Sequence, residues 1–208
     1  MAKAQAVTVT APKFEIVEFK IRGTTPFVQN RWSKKKLEEM HQKHEAGSTA
    51  GKNRKKEARD FEAEFEAAQY KTEDGKNGIN AAAFRNASVS ACKIVGFAMT
   101  RAKLSLFVEA DGFDPRDGTP LVVFTKGKPQ YLESPTTTST GVANLAARPM
   151  WMPGWEAVVR MRYDADQFTL EDVTNLMVRV GAQVGVGEGR ADSKKSNGMG
   201  WGFFEIVR

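Results

Sequence analysis

The sequence predicts an α+β fold: a ferredoxin-like (RRM-like) β-α-β-β-α-β core carrying a helical insertion and an extended hairpin or thumb. Three observations predict it. Strand-like alternation of apolar and polar residues opens the chain at 14–22, returns at 155–163 and closes it at 202–207. Helix-like apolar stripes run over 80–99 and 170–184. Two further short strands, 103–108 and 121–124, lie between them, and the two halves share no sequence repeat.

Taken in order, residues 1–13 lack an apolar run of signal-peptide length and read as a flexible or strand-adding arm. The first strand sets Phe14, Ile16, Phe19 and Ile21 against Glu15, Glu18, Lys20 and Arg22, and Gly23-Thr24-Thr25-Pro26 ends it. Ser33 precedes Lys34-Lys35-Lys36-Leu37 as a capped helix start. After a glycine-containing loop at 47–51, a second helix is expected over 54–70, with Ala58, Phe61, Phe65 and Ala68 on one stripe. Segment 33–75 therefore reads as a protruding, mobile insertion within a single domain spanning 14–208. Asn80 caps the next helix, which the pattern carries to about Met99. Turns at 111–118 separate the two short strands. Residues 125–150, rich in Thr, Lys and Pro, read as an extended loop or hairpin. Thr169 and Asp172 form a capping box for the last helix, whose stripe is Leu170, Val173, Leu176, Met177, Val180 and Val184.

The chain has 208 residues and a net charge of +6, enough length to bury a sizeable core. The charge is unevenly spread. Between Lys34 and Lys56 eight Lys/Arg face three Glu, and the following stretch to Asp74 carries seven carboxylates against Arg59 and Lys71. The single cysteine, Cys92, sits in an apolar helical pattern, so neither a disulfide framework nor a cysteine metal site is expected, and a reducing compartment fits. No apolar run reaches membrane-span length.

The most informative segment is a loop between the last helix and the last strand. It holds Gly185, Gly187, Gly189, Gly198, Gly200 and Gly202, with Arg190, Lys194 and Lys195 among them. Glycines let a backbone approach another chain closely, and the basic side chains suit an anionic one. The Gly185-x-Gly187-x-Gly189 spacing is not a dinucleotide fingerprint, because it follows a helix and precedes a strand.

This loop, the helix start Gly78-Ile79-Asn80-Ala81-Ala82-Ala83-Phe84-Arg85 and the first strand with its turn resemble the RAMP superfamily of CRISPR-associated proteins, in particular Cas7-like backbone subunits or a phage or mobile-element relative of them. The resemblance spans most of 14–208. In the helix start, Asn80 stands where the family carries Pro. The resemblance implies a subunit that polymerises along a single-stranded guide RNA, with an extended hairpin (here 133–150) dividing the strand into segments.

The expected nucleic-acid contacts are Lys20, Arg22, Arg31, Arg85, Arg148, Arg190, Lys194 and Lys195 to phosphates, Asn80 and Asn197 as neutral partners, and Trp201 stacking a base. Gly185, Gly187, Gly189, Gly198 and Gly200 are the expected backbone-approach positions. No catalytic residue, metal or cofactor is expected. His41 and His44 are three apart on a lysine-rich helix with no third ligand placed, and the loop 23–33 contains no Asp or Glu where slicing backbone subunits carry an acidic residue. Two other readings stand beside this one: a nucleic-acid-independent self-assembling structural protein, phage-related or otherwise, and a phage single-stranded DNA- or RNA-binding protein. A RAMP-type endoribonuclease ranks below them. The partners expected are guide RNA, further copies of the chain head to tail and other effector-complex subunits, with no membrane, in the cytoplasm of a prokaryotic or phage-infected cell.

Overall fold

A computed structural model describes residues 10–31, 34–45, 58–137, 143–192 and 199–207. Strand β1 (Phe14–Gly23) buries Phe19 and Ile21 and leaves Ile16, Glu18, Lys20 and Arg22 on the opposite face, as period-two alternation requires. It pairs antiparallel with β9 (Glu156–Asp164) along its whole length and with β10 (Phe204–Val207) at its end. β9 buries Ala157, Val159, Met161 and Tyr163 toward the same interior. Helices α3 (Ala81–Ile94) and α5 (Leu170–Arg179) cover that face, contributing Phe84, Ala87, Ala91 and Cys92 from one and Val173, Leu176 and Met177 from the other.

The ferredoxin-like (RRM-like) core expected from the element order is not the fold. The protein is mostly β, and its main sheet is a curled, antiparallel half-barrel of seven strands. The sheet path runs β10-β1-β9-β6 (Pro120–Lys126)-β3 (Gly78–Asn80), with β4 (Leu106–Glu109) on β9 and β5 (Gly112–Phe113) on β6. A second sheet joins β2 (Phe27–Val28), β8 (Ala143–Trp151) and β7 (Gln130–Thr137). The curl has a local cause. β9 pairs with β4 over Arg160–Tyr163 and with β6 at Glu156 and Ala157, and the β6 register slips between Phe124 and Lys126. Serving two partners at its two ends bends the strand and turns the sheet on itself.

Other boundaries shift for identifiable reasons. Asp60 accepts hydrogen bonds from the N–H groups of Glu62 and Ala63, which caps α2 (Phe61–Ala67); the expected start at Arg54 lies outside the described residues. α3 stops at Ile94, before Gly96 at φ +75°, and a separate helix, α4 (Met99–Ser105), occupies part of the expected strand. Helix α1 (Lys34–Glu45) forms the described part of the basic insertion. The expected hairpin is present as β7–β8, with α2 against β8. The capping box forms as read: Thr169 Oγ1 accepts from the Asp172 N–H, and Asp172 Oδ2 accepts from the Thr169 N–H.

An aromatic cluster joins the two sheets. Phe124 stacks on Trp151 at 4.7 Å, and Phe27, Trp155 and Phe204 close around them. Trp151 and Trp155 are fully buried, so packing rather than base stacking is their role.

Candidate nucleic-acid interface

The glycine-rich loop begins where α5 passes into a π-helical turn, Val180–Val184, that lies directly on β10. Its two arms, 185–190 and 199–202, hold each other. Val186 N–H donates to the Gly202 carbonyl (3.0 Å) and Trp201 N–H to the Gly189 carbonyl (3.2 Å). Gly187 sits at φ +86°, and a Cβ there would lie 2.6 Å from both the Phe27 ring and the Val28 carbonyl. Only glycine lets the loop press this closely on β2. The next residue, Glu188, donates its N–H to Val28 (2.9 Å) and accepts from Arg148 Nε (2.7 Å), which fastens the loop to the second sheet.

The start of α3 is placed just as firmly. Gln29 donates from Nε2 to the Gly78 carbonyl (2.8 Å) and accepts from the Tyr70 N–H (3.0 Å), pinning β3. Asn80 then caps the helix, its Oδ1 accepting from the Ala82 N–H at 2.8 Å. Between this first part of α3 and the loop lies a cleft of about 210 Å³. Its lining includes Asn80, Ala82, Ala83, Asn86 and Ser90 from the helix side and Gly187, Arg190 and Asp192 from the loop. Arg190 Nη1 donates to the Gly187 carbonyl (3.2 Å).

The cleft brings together Asn80, Gly187 and Arg190 from the expected set, with Gly185, Gly189, Gly200 and Trp201 shaping the loop behind it. Trp201 is half-buried and lies over Gly189, where a Cβ would meet its ring at 2.5 Å. Other expected contacts lie elsewhere. Lys20 and Arg22 are on the outer face of the sheet, and Arg22 Nε is paired with Glu156 at 3.0 Å. Arg85 donates from Nε to the Leu106 carbonyl (2.9 Å), reaches the Lys103 carbonyl with Nη2 and lies over the Phe107 ring.

Two of the expected arginines lie buried in ion pairs, away from the cleft. Arg31 is buried and pairs with Asp117 at 2.7 Å beside Asp114. Arg148 is buried against Glu188. Both are structural ties. Lys194, Lys195, Asn197 and Gly198 lie outside the described residues.

Asn86, Ser90 and Asp192 are site residues that the sequence reading did not single out. The signal available was spacing: 82, 86 and 90 fall on one helix face, where a small residue is followed by two polar ones.

Asp114 is fully buried beside Arg116 and Arg31. Burial on its own raises the Asp114 carboxyl, but hydrogen bonds and charge from Arg116, with the N–H groups of Arg116 and Lys71, outweigh it and hold the group at about 2. Burial pushes the Cys92 thiol up to about 11, which makes it an inert core group.

Among the described residues no group of three or more His, Cys, Asp and Glu is arranged to hold a metal ion, and no helix is long and apolar enough to cross a membrane. No protein-family model matches the chain, and no curated protein matches it at a significant level.

Proposed function

We propose that this protein is a non-catalytic subunit that binds single-stranded RNA in the cleft between α3 and the glycine-rich loop, with copies assembling along the strand. One observation carries the reading. The two segments that resemble Cas7-like backbone subunits are distant in sequence, yet they form the two walls of one cleft. Its lining mixes alanines with small polar side chains, which leaves room for a sugar–phosphate backbone. Arg190 brings a guanidinium with more donors than its bond to Gly187 uses. Asn80, Asn86 and Ser90 supply neutral hydrogen-bonding groups beside it. Among the described residues the lining contains one carboxylate, Asp192, and no imidazole, which favours binding over acid–base cleavage.

On this reading the bound strand is a guide RNA, the neighbours are further copies and other effector-complex subunits, and the work is done in the cytoplasm of a prokaryotic or phage-infected cell. The test is a fluorescence-anisotropy titration of labelled oligouridine at low salt. Asn86→Asp, which adds a negative charge to a half-open helix position without touching the core, is expected to weaken binding about tenfold. Affinity unchanged by Asn86→Asp, or no binding by the unaltered protein, overturns the reading.

A further inference from the structure

We propose that copies of this chain join head to tail by seating helix α1 of one copy in the groove between α3 and α5 of the next. The inference rests on the reading of the protein as an assembling subunit and names the contact that would do it.

The groove has a volume of about 650 Å³; Val95, Phe97, Phe168 and Val178 give it an apolar part, and Asp172 and Arg179 are among the polar side chains that complete its lining. Two apolar side chains stand open in it: Val95 is 50% exposed and Val178 51%. Helix α1 offers an exposed apolar ridge. Leu37 and Met40, one turn apart on one face, are exposed at 49% and 39%. Its 12 residues give a length of about 18 Å, against about 15 Å for the 10 residues of α5 beside the groove.

Charge sets the orientation. The sequence of α1 opens with Lys34, Lys35 and Lys36 and closes with Glu45. The α5 side of the groove opens with Glu171 and Asp172 and closes with Arg179. Laid parallel to α5, α1 puts opposite charges together at both ends.

The two surfaces belong to different parts of the chain: the ridge to residues 34–45 and the groove to residues 92–97 and 167–179. α1 follows Arg31, whose segment is tied through Gln29 to Gly78 at the start of α3. The groove lies at the far end of α3, about 21 Å along its 14 residues. A contact between two different surfaces is heterologous, so it extends to a filament where the rotation does not close a ring.

The experiment is sedimentation velocity on the full chain, nuclease-treated, with and without short oligouridine. Leu37→Asp breaks the helix ridge and Val178→Asp the groove; both positions are half exposed, so neither disturbs the core. The unaltered protein is expected to form a concentration-dependent ladder. Each variant alone is expected to stay monomeric, and an equimolar mixture of the two to stop at a heterodimer, because only one ridge and one groove remain intact. An unaltered protein that stays monomeric, variants that assemble like it, or a mixture that stays monomeric overturns the inference. Oligouridine anisotropy on the two variants separates this from the RNA reading. Monomers that still bind the strand keep that reading whatever the assembly result, and a full ladder that ignores oligouridine keeps the contact and removes the RNA.

Discussion

Arg148 Nε donates to Glu188 Oε2 at 2.7 Å, and this ion pair ties the second sheet to the glycine-rich loop. The side chains are only 10% and 29% exposed, so water screens the pair weakly. Arg148→Ala leaves a carboxylate in a half-dry site and is predicted to cost about 3 kcal/mol in urea unfolding. Arg148→Met combined with Glu188→Leu removes both charges and is predicted to recover most of that loss. Two equal, additive single-residue effects would mean that the pair is not coupled.

The seat of the loop on β2 predicts a contrast between two glycines. Gly75 and Gly187 both have positive φ, +77° and +86°. A Cβ on Gly75 meets nothing within 4 Å, so Gly75→Ala is predicted to cost only the backbone strain, about 1 kcal/mol. A Cβ on Gly187 collides with Phe27 and the Val28 carbonyl, and Gly187→Ala is predicted to cost about 3–4 kcal/mol. Thermal melts of the two variants check this, and equal losses would contradict the seating.

Asp114 makes the fold sensitive to acid. An unfolded aspartate titrates at about 3.9, and in the fold this carboxyl is held at about 2. A depressed folded value means that the ionised form stabilises the native state. That contribution, about 2 kcal/mol, is complete above about pH 5 and is lost as the pH falls toward about 2. Asp114→Asn is predicted to lower stability at neutral pH and to narrow its difference from the unaltered protein as acid is added. A difference that stays constant over that range would contradict the assignment.

Arg190 is predicted to act as a phosphate contact. Arg190→Glu should weaken oligouridine binding at least about tenfold and shallow the dependence of log affinity on log salt by about 0.7, the share of one phosphate on a single strand. An unchanged slope would place Arg190 outside the interface.

The elements legible in the sequence are those whose pattern is long and local. β1 and β9 alternate over nine or ten residues, and α5 carries both a capping box and a full apolar stripe. β2, β3 and β5 are two or three residues long, too short to show a period, and these strands help turn a simple sheet into a half-barrel with a second sheet. The same limit applies to the site. Asn80 and Arg190 sit in segments with a strong glycine or capping signal. Arg31 and Arg148 read as surface cations because their carboxylate partners, Asp117 and Glu188, lie 86 and 40 residues away. Only the folded chain brings those charges together.

The central claim is that a strand runs through the cleft between α3 and the glycine-rich loop. The most direct test is photo-crosslinking of a 4-thiouridine-containing oligonucleotide followed by mass spectrometry of the tryptic peptides. Adducts are expected in the peptides that hold Ala82, Asn86 and Ser90 and in those that hold Gly187 and Arg190. Adducts confined to the outer sheet face around Lys20 and Arg22, or no adduct at all, would contradict it.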